Sequence, residues 1–565
     1  MSIQKTKNKW TISALVAMLQ IGIVSIFFGF HYGWIDDLFF ELLFKQQVLC
    51  EGRNDLFFYL FFILSNVYYT LYEIAPDFPW IGISYIAIIT AAVTCINHLI
   101  FKHYSKPIVT PLLLSFSFFG AFLLPLVVYP NFTSISILLS LSVLLLFTNN
   151  FESILASKAK FIVLALLFLV AFLIRPPTAF LASLLFLPFI LIDQPKRKIF
   201  YIAALPMLVV AIYAISIIPL LNNERAHDIK WDMKRIQILD NNIEIDVAKM
   251  DDPKLKAFSA AYLSWFFADS TYFEDFDYID RMLDYQVETN VIQKYSAKLK
   301  SEFSKIFSLY NANYHAHLNW GVEFTLLLVL LISLIVLKVY RSKHQTKTII
   351  AYFLSIIFMI LIVLLYKMEY RFFYPILVLL LLHLILSNSD NKWLPKILIV
   401  LFTGITLFQI YSNLKAVSES KIEYKKISAT LSNLENKLAS KYILFDQLSV
   451  SILHQDLFHA VRFDDKWIAI KESFNKTSEG HKKQLTSLFG CSDFPCLAEQ
   501  TIDNEDYLFL FSPHRVRVIE DYYEAFYNRK IKFEILPISK DVIEVEYSIF
   551  NFPLDIHLYY LKSDE

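Results

Sequence analysis

Apolar runs of about twenty residues recur along the chain, separated by short charged connections, and each is long enough to cross roughly 30 Å of hydrocarbon as a helix. The pattern predicts spans near 10–30, 80–101, 107–128, 132–148, 161–174, 178–193, 199–221, 320–340, 347–366, 371–388 and 394–412, about eleven in all. The fifth and sixth are short and meet at Arg175-Pro176-Pro177. One further apolar stretch, 56–72, decides the topology. If it crosses, the basic connections fall on both sides. If it lies in the interface, they all fall on one side: Lys5, Lys7 and Lys9, then Lys102 and Lys106, Lys158 and Lys160, Lys196 to Lys198, Lys338 to Lys347, and Lys392 with Lys396. The positive-inside rule makes that side cytoplasmic, so 56–72 is read as an interfacial helix.

The opposite, extracytoplasmic face then receives the loop 31–79, the long loop 222–319 and everything after about 413. The tail begins with a charged amphipathic helix over 413–440. It continues with β-like runs at 442–445, 507–511, 532–536, 542–547 and 556–561, and a helix near 516–528. That alternation predicts a small α/β domain. The expected organisation is a transmembrane domain over 1–412 and a soluble α/β domain over 413–565.

Composition agrees with the pattern and narrows the function. The chain is 56% hydrophobic and 16% aromatic, as a polytopic helical membrane protein should be. Its 52 basic residues balance 52 acidic ones, so no basic field points to nucleic acid. The short cytoplasmic connections hold no Walker A or GxGxxG pattern and leave no room for a nucleotide site. Only 10 glycines argue mildly against a transporter built on broken helices. The run 10–30 lacks a small-residue cleavage pattern and reads as a retained first span. Cys491 and Cys496 enclose a short turn and are expected to form a local disulfide if the tail is extracytoplasmic, whereas Cys50 and Cys95 read as unpaired packing residues.

Candidate chemistry gathers on the extracytoplasmic face. Asp36 and Asp37 follow the first span in His31-Tyr32-Gly33-Trp34-Ile35-Asp36-Asp37; adjacent carboxylates there either cap a helix or face a substrate. Arg53 and Asp55 precede the interfacial helix, Arg175 lies beside two prolines, and Arg225 and His227 open the long loop. Glu369 and Arg371 sit between two spans. Arg175 and Arg371 either snorkel to headgroups or hold a phosphate; Glu369 either pairs with Lys367 or Arg371 or takes part in the site. His315 and His317 lack an evident third metal ligand. Asn131-Phe132-Thr133 matches a glycosylation sequon but lies against a span, so it reads as a helix start. A carboxylate can act as general base toward an acceptor hydroxyl or amine, and arginines can stabilise the charge of a phosphate leaving group. A lipid-phosphate donor would present its head at this level, an arrangement suited to sugar transfer.

The order of features resembles the GT-C superfamily of polytopic glycosyltransferases, related to the aminoarabinose transferase and protein O-mannosyltransferase types. Ile35-Asp36-Asp37 matches the position of their acidic motif in the first outer loop, and 52–72 matches their interfacial helices. Pro130-Asn131-Phe132-Thr133 and Arg175-Pro176-Pro177-Thr178 are similar to short Phe-Thr and Arg-Pro patterns of bacterial members; Met368-Glu369-Tyr370-Arg371 resembles a Glu-Arg-Tyr patch with its order altered. The resemblance covers roughly 1–412, and nothing in the tail shares it.

It implies a GT-C-like bundle in the bacterial inner membrane and a polyprenyl-phosphate-linked sugar as donor. The acceptor is a glycan, lipid or protein of the cell envelope. Asp36 or Asp37 is implied as base, Arg175 and Arg371 as phosphate ligands, and Glu369 as their positioning partner. A divalent metal fits the family but no ligand spacing indicates one. An O-antigen polymerase or ligase, working through Arg225 and His227, and a lipid-linked saccharide transporter stand as alternatives.

Overall fold

The computed structural model describes residues 2–32, 40–41, 44–45, 62–104, 107–191, 207, 230–231, 234–240, 243–264, 266, 269–273, 276–287, 320–341, 350, 353, 357, 370–388, 393–438, 441–445, 466–469, 486–491, 494–536 and 557–563. These residues form a mostly helical membrane protein with a small C-terminal sheet. Five helices are long and apolar enough to cross a bilayer: Lys9–Phe27, Trp80–His103, Val109–Val128, Phe132–Asn149 and Leu394–Lys415. Three shorter apolar helices lie at Pro176–Pro188, Leu327–Val336 and Arg371–Ser387. The expected count of about eleven is therefore not reached among the described residues, and the predicted spans 199–221 and 347–366 lie almost wholly outside them.

In chain order the helices are α1 (Ser2–Phe27), α2 (Phe62–Ile74), α3 (Trp80–His103), α4 (Val109–Val128), α5 (Phe132–Asn149), α6 (Lys158–Ile174) and α7 (Pro176–Leu191). The long loop contributes α8 (Pro253–Leu263) and α9 (Phe276–Leu283); α10 (Trp320–Arg341), α11 (Tyr370–Ser387) and α12 (Leu394–Leu438) follow. The described part of α2 has 13 residues, about 20 Å of rise. Helix α5 is the hub. Every residue from Phe132 to Thr148 is buried, and α3, α6, α7 and α11 pack around it, as expected of a helix that is apolar on all sides.

The bundle has two chemically different ends. At one, the Lys102 ammonium bonds Asn149 O (2.5 Å) and Asn150 Oδ1 (2.6 Å), and the Tyr104 hydroxyl donates to Ile385 O (3.0 Å). The C-termini of α3, α5 and α11 thus share this lysine-bearing end. At the other, His31 N donates to Val128 O (2.8 Å), and Ser134 Oγ to Arg371 O (2.9 Å). The ends of α1 and α4 and the starts of α5 and α11 meet there. Because α3 ends at the lysine-bearing end, it begins at the other, where α1 ends.

The expected domain boundary at 412 falls inside a helix. The last span and the charged helix are one 45-residue helix, α12, roughly 65 Å long. Beyond it lie β1 (Tyr442–Phe445), β2 (Trp467–Ala469), α13 (Phe494–Thr501), β3 (Tyr507–Phe511), α14 (Pro513–Tyr527), β4 (Ile531–Ile535) and β5 (His557–Ser563). The strand order is β2-β1-β3-β5-β4, with β1 parallel to β2 and β3, and β5 antiparallel to β3 and β4. The predicted strand 542–547 lies outside the described residues, and Cys491 and Cys496 are disulfide-bonded with Cα atoms 5.5 Å apart.

Strand alternation divides this sheet between two cores. Leu444, Phe509, Phe511, Tyr559 and Leu561 face a core that also holds Trp231, Phe258, Tyr262, Phe266 and Phe273 from the long loop. Ile443, Phe445, Leu508, Leu510 and Leu558 belong to the apolar cluster that runs through the membrane helices. Burial on both faces explains why Tyr-Ile-Leu-Phe and Tyr-Leu-Phe-Leu-Phe are unbroken apolar runs. The long loop and the tail are one folded unit.

Candidate functional site

The arginine-bearing end is built on the first turn of α5. Asn131 is extended (φ −139°, ψ 153°) and its side chain accepts from Ser134 N at 2.9 Å, a helix N-cap that uses the sequon asparagine structurally. Phe132 follows, fully buried. Arg175 Cζ lies 4.4 Å from the Phe132 ring centroid and Arg371 Cζ 5.8 Å from it. Arg175 Nη1 also donates to Thr133 Oγ1. Two guanidinium groups from separate parts of the sequence therefore share one aromatic ring at the positive end of a helix dipole.

Local sequence explains each placement. Arg175 precedes two prolines, which lack N–H groups and bias the preceding residue to extended backbone; it adopts φ −151° and occupies the break between α6 and α7. Arg371 lies in the first turn of α11, four residues before Pro375. A proline cannot donate the helical bond to the carbonyl of residue 371, and the Ser134 hydroxyl takes that place at 2.9 Å. The proline thus ties α11 to the start of α5 at the residue whose side chain reaches Phe132.

Residues after α1 pack against the same point. Phe40 lies 5.1 Å from Phe132, centroid to centroid, and Phe44 packs on Tyr68 and Tyr69 of α2. Glu41 is fully buried: Tyr32 donates its hydroxyl to Oε2, and Lys45 Nζ lies 2.7 Å from Oε1. The Lys45 ammonium sits 5.7 Å above the Tyr72 ring, and the Tyr72 oxygen accepts from Ile81 N at 3.3 Å. Burial pushes the Glu41 carboxyl above its ordinary value, against the pull of Lys45 and Tyr72. Burial also pushes the Tyr68 hydroxyl up to about 12.

Of the sequence-predicted site residues, Arg175 and Arg371 are brought together. Asp36 and Asp37 lie in 33–39, outside the described residues but between Tyr32 and Phe40, which are both anchored at this end. Arg53, Asp55, Arg225, His227 and Glu369 lie outside the described residues, as do His315 and His317. Tyr32, Glu41, Lys45 and the Phe132 ring enter the site only in three dimensions. The i,i+4 spacing of Glu41 and Lys45 is the one sequence signal that could have found the pair. Among the described residues no three His, Cys, Asp or Glu side chains converge as metal ligands. No protein-family model matches the chain, and no curated protein matches it closely enough to count as a relative.

Proposed function

We propose that this chain is a membrane glycosyltransferase that moves a sugar from a polyprenyl-phosphate donor to a cell-envelope acceptor on the extracytoplasmic face of the inner membrane. The observation that carries the reading is the convergence of Arg175 and Arg371 on Phe132, at the end of the bundle where Phe40 also packs. The lysine-bearing end is cytoplasmic by the positive-inside rule, which leaves the arginines facing outward.

In this reading Asp36 or Asp37 takes the proton from the acceptor hydroxyl or amine as its oxygen or nitrogen attacks the anomeric carbon. The bond from that carbon to the phosphate oxygen breaks, and the departing phosphate carries the negative charge. Arg175 and Arg371 stabilise it, with the N-terminal end of α5 behind them. Arginine suits this place because its charge is fixed and its planar fork matches phosphate oxygens.

The test uses full-length protein in nanodiscs. Sugar-free polyprenyl phosphate should bind wild type and Asp36→Asn alike, and at least tenfold more weakly when Arg175 and Arg371 are both alanine. Transfer from a polyprenyl-phosphate sugar should fall ~10²–10⁴-fold on removal of the base. Full transfer in both Asp36→Asn and Asp37→Asn would show the base assignment wrong.

A further inference from the structure

We propose that Phe132 is a positioning residue for the donor phosphate, its ring holding the Arg175 and Arg371 guanidinium groups as one pair. The inference rests on the glycosyltransferase reading above. The two arginines come from different junctions in the bundle. Arg175 occupies the break between α6 and α7, and Arg371 lies in the first turn of α11. Their guanidinium groups nevertheless reach the same ring. Arg175 Cζ is 4.4 Å and Arg371 Cζ 5.8 Å from its centroid, both within the ~6 Å reach of a cation–π contact. Phe132 is fully buried at the start of α5, and Phe40 packs on it with the centroids 5.1 Å apart, so the ring is held in place.

Charge and entropy give such a ring its use. Two guanidinium groups repel each other, and each ends a side chain that loses much rotamer freedom when fixed. A carboxylate between them would gather them but would also cancel charge that a phosphate needs. The electron-rich face of phenylalanine attracts both groups and carries no net charge, so this partner neutralises neither. The next two residues secure the arrangement. Thr133 Oγ1 accepts from Arg175 Nη1, and Ser134 Oγ donates to Arg371 O at 2.9 Å. Asn131 caps the turn that carries all three. In these contacts Thr133 and Ser134 each act on one arginine, whereas Phe132 acts on both.

The test replaces Phe132 by mono-, di- and trifluorophenylalanine in the full-length protein. Added fluorine keeps the shape of the ring and weakens its negative face step by step. Each protein is compared with wild type in nanodiscs for melting temperature and for binding of sugar-free polyprenyl phosphate. The expected result is wild-type melting and an affinity that falls with every fluorine, by at least about fivefold over the series. When Arg175 and Arg371 are both alanine, the same series should leave the residual binding unchanged, because the ring then has no charge to position. Equal affinity across the series overturns the proposal. So does a loss of affinity that follows a loss of melting temperature, as a merely structural role requires, or one of equal size without the arginines. If the double alanine variant binds like wild type, the phosphate reading fails first and the positioning role falls with it. If that variant binds weakly while the fluorine series has no effect, only the role of Phe132 fails.

Discussion

A close approach of two long helices offers a quantitative test of the bundle. Gly120 lies in a π-helical turn (Phe119–Leu123) that interrupts α4. A Cβ added there would meet Thr406 of α12 well inside van der Waals contact, 2.7 Å from Oγ1 and 3.0 Å from Cβ. Thr406 cannot turn aside freely, because its hydroxyl lies 2.7 Å from Phe402 O and bridges to Ser117 O of α4 at 3.1 Å. Gly120→Ala must therefore push the helices apart or break the bridge. Overpacking of this kind costs ~1–3 kcal/mol and a lost hydrogen bond ~1 kcal/mol more. At ~2 °C per kcal/mol the variant should melt about 4–8 °C below wild type. Cys95, buried in α3, is a natural reporter for a thiol-reactive dye in detergent, in a Cys50→Ser background. Thr406→Ala should recover part of the loss, a coupling of ~1–2 kcal/mol. The reasoning fails if Gly120→Ala melts with wild type, or if its penalty is the same with and without Thr406.

Other consequences follow from single contacts. Ser134→Ala leaves the Arg371 carbonyl without its hydroxyl donor opposite Pro375; it should cost ~1–3 kcal/mol in the same melting assay and weaken polyprenyl phosphate binding by loosening Arg371. Asn131→Ala removes the cap of α5 and should cost ~0.5–2 kcal/mol, with Asn131→Asp close to wild type. Asp269 is fully buried and accepts from the hydroxyls of Tyr522 (2.8 Å) and Tyr527 (2.7 Å); Asp269→Ala should destabilise the soluble unit by ~2–4 kcal/mol, read as lower denaturant resistance of its tryptic fragments.

How far the sequence could be read depended on the range of the signal. The runs at 442–445 and 507–511 were legible as strands because burial on both faces makes them continuously apolar. Strand β2, Trp467–Ala469, is three residues long and leaves no periodicity to detect. The helix over 413–440 is legible but its continuity with the preceding span is not, because the change from apolar to charged side chains marks the change of surroundings and not a break in hydrogen bonding. Arg175 and Arg371 stood out as charges at span ends, yet their common partner did not: Phe132 is one of 52 phenylalanines and gains its meaning from two contacts that lie 43 and 239 residues away in sequence. Glu41 was visible as one acidic residue among many in its loop. Apart from its i,i+4 spacing to Lys45, only burial distinguishes it.

The same limit applies to the soluble parts, where sequence separated what the fold joins. The loop core and the tail core are one core. Phe266 packs against Phe494 and Tyr522, and Phe273 stacks on Tyr522. The Arg515 guanidinium donates to Ser264 O at 2.5 Å, and Asp269 takes two tyrosine hydroxyls from α14. Among the described residues, Trp231, Phe258, Tyr262 and Phe273 of the loop are buried in one core with the sheet more than 150 residues later, so their packing depends on it. Truncation after residue 438 removes the sheet and leaves these aromatic side chains exposed. The expected result is rapid cleavage of 230–287 by an added protease, while the membrane helices stay protected in detergent. Equal protease resistance of the loop with and without the tail would mean that it folds alone. The long loop lies between α7 and α10, so a unit that needs both parts links the middle of the bundle to the end of α12 and limits how far one can move without the other.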